Sequence, residues 1–566
     1  MNTDWFDILF RNSFNHKHSL SITGGSEKIS SRASIGISEE KGEAKGNEGK
    51  TFTGSSNTVL QLIPNLRISL NLNGSYREIF GFAYEVSPFS YAYNTARTIP
   101  LYNEDGTLYY HEKWGNSSTA ISGKNWYGYN ILNEIDNTGN ENRTKMVSSS
   151  LDLSWKILPY LEYQGLVSYT VSSSEMKSYA TEYSNYITSL RGYEIGEVAA
   201  NSKEESMTRL PFGGLLVTEN ATTNTWSFRN SLVFNKLFKE RHNVTLQVGL
   251  ELSSNTSTGS RSTRYGYLRY RGEAFASLPT TYTTTYNSTP QLNPLLETMR
   301  TASSVTNREN NYVSEFLTAV YSFDNRYVLN FNARLDASNR FGQYTNNKAL
   351  PVWSLAGRWS VSEEPWFRQL GEQAELSLRA SFGRQGNVPS SVGPNLVVKY
   401  PQTVINRWSG EYVLNISRLP YPNLRWEKTN TINLGLDFSF LKGRISGTVD
   451  YYYKKGNDII FSLDVPAEFG VAKTYKNGAD IKNTGFELAL TFVPVRTKDI
   501  TWTISPIYSK NSNNVDNTGK SEYTYLDYLA GNAFESGKPV NAIYSWKFTG
   551  LDPQYGYATF ANTSRV

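Results

Sequence analysis

The sequence predicts an all-β protein, a partial antiparallel transmembrane β-barrel of about sixteen strands. Three observations predict it. Segments along the whole chain alternate apolar and polar residues, the polar members of these segments include few lysines and glutamates, and the connections between segments are alternately very short and very long.

The alternation is regular. From Leu66 to Asn73, and again from Val244 to Ser253, every second residue is apolar. A period of two places the apolar side chains on one face of a strand and the polar side chains on the other. A large soluble β-protein shows the same alternation, so this pattern alone does not distinguish it from a barrel.

The polar face and the strand lengths favour the barrel. From Val147 to Trp155 the polar positions are Ser148, Ser150, Asp152 and Ser154, a composition suited to a water-filled lumen. Strands such as Lys428 to Phe440 and Arg444 to Lys454 are long enough to cross a bilayer at a tilt, whereas sandwich strands are usually shorter.

The connections favour it too. The tight links are Gly24 to Ile29, Ile63 to Asn65, Leu158 to Tyr160, Leu237 to Asn243, Asp324 to Asn325, Leu441 to Gly443 and Val493 to Asp499, with a slightly longer one at Ser362 to Ala374. The long connections are Glu39 to Thr51, Glu78 to Thr144, Ser172 to Thr223, Ser254 to Asn310, Ala337 to Leu350, Arg384 to Glu427 and Lys455 to Asn483. Outer-membrane barrels have short periplasmic turns and long external loops.

Composition excludes several classes of function. The 566 residues contain no cysteine, so thiol catalysis is excluded, and the net charge of +5 is too small for this length to indicate a nucleic-acid partner. Charged residues make up 19%, below the roughly 25% of soluble domains. No apolar run reaches the roughly 18 residues of a membrane-spanning helix.

The order of links predicts three regions. Residues 1–17 form a loop leading into the barrel, residues 18–511 form the barrel strands with their loops, and residues 512–566 form an external loop and the start of a truncated barrel end. With the long loops outside, both ends of the strand region lie outside, so we expect at least one strand before residue 18 and one after residue 511. Met1 to Lys17 has no signal-peptide pattern, and the chain is expected to be a fragment.

Several short motifs carry a family resemblance. They are Asn2 to Asp7, His18 to Lys28, Arg334 to Gly342, Trp359 to Glu364, Leu378 to Asn387, Leu424 to Thr429, Asn483 to Leu488 and Gly550 to Pro553. Their order and spacing resemble the barrel region of SusC/RagA-type TonB-dependent transporters.

The resemblance implies a Bacteroidota-type importer in the cell outer membrane, with a barrel of about 22 strands around a plug. It implies four kinds of partner: outer-membrane lipids, a SusD-like surface lipoprotein, the TonB complex acting through the plug, and an oligosaccharide or peptide substrate. The plug domain is absent from this sequence, so the chain is expected to be inactive alone. The alternative is a secreted or surface-attached all-β glycan-binding adhesin, in which the apolar strand face would point into a protein interior.

Aromatic residues in the long loops are the candidate substrate contacts: Trp114, Trp126, Tyr127, Tyr129 and Trp408. Their rings could stack on sugar rings or peptide side chains, and packing within the loops is the alternative role for most of them.

No catalytic, metal or cofactor site is predicted, and no enzyme activity. His16 and His18 have the spacing of two ligands on one strand face but lack a third ligand. Gly519 to Ser521 lacks the first glycine of a phosphate loop.

Overall fold

The computed structural model describes residues 2–115, 125–284, 288–339, 349–369, 374–387, 392–399, 409–518 and 522–561. Eighteen strands of these residues belong to one sheet. Two of them, Ala274–Phe275 and Thr501–Ile504, have two and four residues, which leaves the sixteen long strands that the sequence predicts. None of the helices in the described ranges is long and apolar enough to cross a bilayer.

The strands of the large sheet follow one another along the chain. They are β1 (His16–Gly25), β2 (Ile29–Lys41), β3 (Glu48–Ile63), β4 (Leu66–Gly81), β7 (Thr138–Leu158), β8 (Leu161–Ala180), β9 (Gly214–Phe238), β10 (His242–Leu268), β11 (Ala274–Phe275), β14 (Ser304–Phe323), β15 (Tyr327–Ser338), β16 (Ala349–Ser360), β17 (Ala374–Asn387), β20 (Glu427–Phe440), β21 (Ile445–Asp464), β22 (Lys473–Arg496), β23 (Thr501–Ile504) and β24 (Ile507–Asn517).

Shorter elements lie in the connections. The short strand pairs are β5 (His111–Trp114) with β6 (Trp126–Tyr129), β12 (Thr281–Tyr282) with β13 (Gln291–Leu292), β18 (Val397–Lys399) with β19 (Asn415–Arg418), and β25 (Phe548–Leu551) with β26 (Ala558–Phe560). The α-helices are α1 (Trp5–Leu9), α2 (Pro88–Asn94), α3 (Ile131–Asn137), α4 (Asn185–Arg191), α5 (Pro294–Thr301), α6 (Pro365–Arg368) and α7 (Tyr525–Leu529). Single 3₁₀ turns span Glu205–Met207, Val361–Glu363 and Ala467–Phe469.

The chain divides into two compact units. The first contains residues 1–155, 165–228 and 253–310, and the second contains residues 156–164, 229–252 and 311–566. In the first unit, β1 to β4 pair in chain order and β4 then pairs with β7, all antiparallel. In the second unit, the strands pair antiparallel in the order β14, β15, β16, β17, β20, β21, β22 and β24, each with the next one in this order.

Seven of the eight predicted links are confirmed, and residues 370–373 of the eighth, Ser362 to Ala374, lie outside the described residues. β1 ends at Gly25 and β2 begins at Ile29, and β20 ends at Phe440 and β21 begins at Ile445. Six non-glycine residues at three of these links adopt left-handed backbone conformations: Lys239, Glu240, Asp324, Asn325, Leu441 and Lys442. Type I′ turns require positive φ at both central residues, because the twist of this turn matches the twist of the flanking strands.

Two regions differ from the expectations. The segment between the predicted link that ends at Asp499 and the predicted boundary at residue 511 contains two strands, β23 and β24, because Pro506 lies between them and has no N–H for the ladder. The second of these continues to Asn517, six residues past the predicted region boundary. In the predicted lead-in of residues 1–17, α1 forms, and β1 begins at His16. The three-region division itself stays a prediction.

The two faces of the sheet differ in chemistry. On one face large apolar side chains are exposed: Ile22 and Ile35 in the first unit are 68% and 63% exposed, and Leu434 in the second is 51% exposed. On the other face hydroxyls and amides bond across strands, as from Asn71 Nδ2 to Asp152 Oδ2 at 3.0 Å. A soluble two-layer sandwich would bury the apolar face.

The long connections of the first unit are folded rather than structureless. One apolar cluster joins α1, α2, α3 and β6 through Trp5, Leu9, Ala92, Tyr129 and Ile131. A second cluster surrounds α4 and the loop ends of β8 to β10: Ala180, Ile187, Leu210, Leu215, Val217, Tyr265 and Leu295. Most of these side chains lie in segments that the alternation does not cover, so the sequence pattern gave no sign of these two cores.

Candidate functional site

The candidate site is the β5–β6 hairpin in the first unit. Its register pairs His111 with Tyr129, Lys113 with Tyr127, and Trp114 with Trp126. Four of the five predicted substrate contacts therefore lie on one hairpin. The fifth, Trp408, lies outside the described residues.

Alternation along β6 divides these four aromatic residues. Trp114 and Trp126 are 57% and 49% exposed, and their rings meet edge to face with centroids 5.3 Å apart. Tyr127 and Tyr129 are buried. A ligand can therefore reach the two tryptophans in this conformation, whereas the two tyrosines contribute to packing within the loops.

The buried side of the hairpin is an aromatic cluster. The Tyr129 ring lies 5.6 Å from that of Tyr91 and 5.5 Å from that of His111, and the Lys113 ammonium lies 4.5 Å above it. Burial raises the pKa of Tyr91 to about 12 and also raises that of Tyr129. Both hydroxyls therefore stay neutral at physiological pH, and a neutral phenol is compatible with a buried position.

A second long connection holds the hairpin at Gly128. The Gly128 N–H donates to Glu194 Oε1 at 2.9 Å, and Asn185 Nδ2 donates to the Gly128 carbonyl oxygen at 2.9 Å. Both backbone groups of one residue in β6 are thus bonded by side chains of the connection between β8 and β9. These bonds fix the strand that carries Trp126.

Glu134 also joins these two connections to each other. Its Oε1 accepts from the Asn185 backbone N–H at 2.9 Å and from Asn133 Nδ2 at 3.0 Å. The side chain is buried, and burial raises the pKa of this carboxyl to about 7. Helix α3, which carries it, is capped at its N-terminus by Asn130, whose Oδ1 accepts from the Leu132 N–H at 2.9 Å.

Sequence reasoning missed these supporting residues. Asn130 before the apolar run of α3 is a recognisable N-cap signal. No local pattern, however, identifies Asn185 or Glu194, because their bonds to Gly128 join residues 57 and 66 positions apart.

Two of the motifs that carry the family resemblance contain an arginine that makes polar contacts in the second unit. Arg334 Nε donates to Asp336 Oδ1 at 2.6 Å, and its Nη1 lies 3.6 Å from Glu251 Oε2. Arg379 donates to both carboxylate oxygens of Asp437, at 2.8 and 2.9 Å. Its Nη2 also bonds Asp450 Oδ1 at 3.1 Å.

A glycine makes this last arrangement possible. Gly435 lies opposite both Arg379 and Asp450 in the register. A Cβ built on Gly435 would lie 2.8 Å from the Arg379 guanidinium carbon and 2.7 Å from an Asp450 oxygen. The missing side chain gives the guanidinium room to reach both carboxylates.

The residues considered for metal or catalytic chemistry have other contacts. His16 Nε2 lies 3.5 Å from Glu39 Oε2. The other carboxylate oxygen of Glu39 forms an ion pair with Lys50. In the described part of the chain no three His, Cys, Asp or Glu side chains are grouped to hold a metal ion. Gly519 to Ser521 lies outside the described residues.

Comparison with known proteins identifies relatives over nearly the whole chain. Residues 79–565 match the family model described as TonB dependent receptor-like, beta-barrel. The chain is similar to TonB-dependent receptor P26 of Formosa agariphila, with 25% identity over 94% of this chain and 49% of that protein. It is also similar to TonB-dependent receptor SusC of Bacteroides thetaiotaomicron, with 26% identity over 93% of this chain and 49% of that protein.

A solved structure shares the fold. The RagAB peptide transporter aligns with the whole of this chain and 58% of its own, with a TM-score of 0.77 and 21% identity. The chain spans about half the length of the curated relatives it matches.

Proposed function

The chain belongs to the TonB-dependent receptor β-barrel family and is of the SusC/RagA type, and on that premise we propose that it forms the barrel wall of an outer-membrane importer. The proposed cargo is an oligosaccharide or a peptide. The proposed partners of the whole protein are membrane lipids, a SusD-like surface lipoprotein and the TonB complex, which would act through a plug.

The observation that carries this proposal is the exposed apolar face of the sheet. Side chains such as Ile22, Ile35 and Leu434 would be left in water by a soluble protein, with roughly 25 cal/mol lost for each Å² of apolar surface that stays exposed. Hydrocarbon around the barrel would cover them, and the polar opposite face would line an aqueous lumen.

A row of charged residues supports the membrane placement in the first unit. On the side of the apolar face that lies towards the long loops, the register aligns five residues of β1, β2, β3, β4 and β7: His16, Glu39, Lys50, Glu78 and Arg143. Glu39, Lys50, Glu78 and Arg143 alternate in charge, and Lys50 and Arg143 form ion pairs with Glu39 and Glu78 at 3.2 and 2.6 Å. Such a row suits the headgroup region and not the hydrocarbon.

The distance from this row to the turn end fits a bilayer. Along β7, Trp155 follows Arg143 by twelve residues and is partly exposed on the same face. At roughly 3.3 Å per residue and a tilt of roughly 40°, this segment rises about 30 Å, close to the hydrocarbon thickness of a membrane. Trp155 then lies where aromatic girdles occur.

The polar face suits the passage of hydrated cargo. In the first unit Asn71 Nδ2 donates to Ser150 Oγ at 3.1 Å, and in the second Thr318 Oγ1 donates to Asn332 Oδ1 at 3.0 Å. Hydroxyls and amides of this kind can exchange hydrogen bonds with a sugar or a peptide, so the cargo avoids the cost of losing its water without replacement.

The exposed Trp114 and Trp126 are the proposed cargo contacts. Two large rings held at one hairpin end offer apolar surface with few freely rotating bonds, which lowers the entropy lost on binding. Sugar rings and aromatic or aliphatic side chains of peptides can both stack on such surfaces.

The membrane proposal is tested by refolding the chain into detergent micelles and into lipid vesicles. Barrels migrate differently on gels before and after boiling, and we expect this heat-dependent mobility together with resistance of the vesicle-bound protein to extraction at alkaline pH. A chain that stays folded and monodisperse in buffer without detergent would contradict the proposal.

A further inference from the structure

A groove of about 870 Å³ crosses the apolar face of the second unit. Its floor is formed by Gly357 of β16 and Ala380 of β17, which lie opposite each other in the register. Leu329 on β15 and Leu434 on β20 continue the same row on either side. Two adjacent small residues thus interrupt a row of large ones.

The floor is open above Gly357. A Cβ built on this glycine has no atom within 4 Å, so nothing in the described protein fills the space a side chain would take. Glycine within a strand is unfavourable by up to about 1 kcal/mol relative to residues that favour strands. No left-handed backbone conformation requires a glycine here, since Gly357 is not among the positive-φ residues.

The wall of the groove on the turn side is held in place. The Tyr327 hydroxyl donates to Glu364 Oε1 at 2.6 Å, and the Trp359 indole N–H donates to the same oxygen at 3.0 Å. Arg326 Nη1 bonds the other oxygen of Glu364 at 3.2 Å. The two rings lie nearly parallel, 6.4 Å apart. A wall fixed before binding loses little entropy when an apolar ligand packs against it.

The chemistry of the lining selects the ligand. Leucine, valine, alanine and aromatic side chains supply the surface, and the groove's arginines, Arg358 and Arg379, bond instead to Ser377 and to Asp437 and Asp450. A sugar or peptide backbone would lose its hydrogen bonds with water in this groove and gain few in return. An unbranched hydrocarbon chain has no such cost.

We propose that this groove binds one acyl chain of a membrane phospholipid as an ordered ligand, with Gly357 and Ala380 as its floor. This inference rests on the proposed function, because the groove is continuous with the apolar face placed in hydrocarbon there. The anchored Tyr327 and Trp359 lie beside the turn that contains Glu364, and this places the headgroup of the lipid at the short-turn end. A lipid held in this way shields the apolar floor that the two small residues leave uncovered.

The test counts lipid retained after gentle extraction. The full chain is refolded into vesicles of palmitoyl-oleoyl phosphatidylethanolamine, extracted into a mild detergent and examined by native mass spectrometry. We expect the wild type to keep one lipid that Gly357→Leu and Ala380→Leu both lose, because a leucine side chain fills the groove.

Gly54→Leu is the matched control. Gly54 lies on β3 opposite Ile35 of the apolar face, and its added Cβ also meets nothing within 4 Å. It is not part of this groove, so we expect Gly54→Leu to retain the lipid. Heat-dependent mobility shows that each of the four proteins is inserted. If all four then retain lipid equally, the proposal of lipid binding in the groove is wrong and the membrane proposal is unaffected. A wild type that does not insert would overturn both.

Discussion

Two leucines show how differently the loops and the sheet cover their apolar residues. Leu210, in the loop cluster around α4, is fully buried by protein, whereas Leu434, in the middle of β20, is half exposed. The loop connections form small cores like those of a soluble protein. The sheet leaves its apolar residues exposed on one face, where the proposed function places lipid hydrocarbon.

The difference shows that the connections and the sheet arrange their apolar side chains in two different ways. In the connections the helices α1 to α5 bring side chains together from distant segments. In the sheet, alternation places the apolar side chains on one face, where no layer of the first or second unit is stacked on Ile22, Ile35 or Leu434 in the described residues. Four experiments test this contrast between the loops and the sheet.

The largest effect is expected for Leu210→Ala. Removing a fully buried leucine side chain costs about 2 to 5 kcal/mol, since the cavity is only partly refilled. We expect faster proteolysis of the connections and a lower unfolding temperature by near-ultraviolet circular dichroism, with the heat-dependent mobility of the barrel retained. Leu434→Ala is the control, and in detergent it should change stability by less than about 0.5 kcal/mol. Equal losses for the two variants would end the comparison.

The second experiment places a charge on each face of β20. Leu434→Arg should cost about 2 to 4 kcal/mol in vesicles if the residue lies near the bilayer midplane. The neighbouring Asn433→Arg should cost about 1 kcal/mol, mainly through the lost bond from Asn433 Nδ2 to Ser381 Oγ at 3.3 Å. Urea titration of the vesicle-inserted proteins measures both. A larger loss for Asn433→Arg would mean that the faces are assigned the wrong way round.

The third experiment concerns the pH dependence of the loop core. Because the pKa of Glu134 rises from 4.5 to about 7 on folding, the folded state holds a proton that the unfolded state has released between these values. Stability from this group is therefore fully present below pH 4.5 and is lost as the pH rises to about 7, by about 3 kcal/mol in total.

The glutamine side chain of Glu134→Gln keeps an oxygen that can accept from the Asn185 N–H, but this side chain cannot ionise. We expect its loops to keep the same protease resistance between pH 5 and pH 8, in contrast to the wild type, whose loops become more sensitive with rising pH. Identical pH profiles for the two proteins would show that Glu134 does not titrate in this range.

The smallest effect on stability is expected at the exposed tryptophans. Trp114→Ala removes an edge-to-face pair worth about 0.5 to 1.5 kcal/mol, and much of the ring is already in solvent. Its effect on cargo should be larger, with binding weakened by about tenfold, or 1.4 kcal/mol.

Calorimetric titration with panels of oligosaccharides and peptides measures this binding, and Tyr93→Ala, an exposed aromatic on α2, is the control. Unchanged binding by both Trp114→Ala and Trp126→Ala would remove the hairpin from the cargo site.

The strands were predictable and the loop cores were not. Alternation over residues such as Leu66 to Asn73 identifies a strand because neighbouring side chains point to opposite faces. Asn185, Glu194 and Glu134 form no local pattern, since the bonds that hold Gly128 depend on how two connections pack together. The five predicted aromatic contacts were chosen by residue type. For the four that the structure describes, the division into exposed tryptophans and buried tyrosines depends on the hairpin register.

Period-two alternation and turn residues are local properties of a sequence, and they were enough to predict the fold class, the sixteen long strands and the short turns. The family was predicted separately, from the resemblance of short motifs. Which loop aromatics are exposed, that Glu134 is buried, and that Gly357 lies beside Ala380 became known from the folded chain. Burial and register depend on contacts between residues far apart in the chain, and no short segment records those contacts.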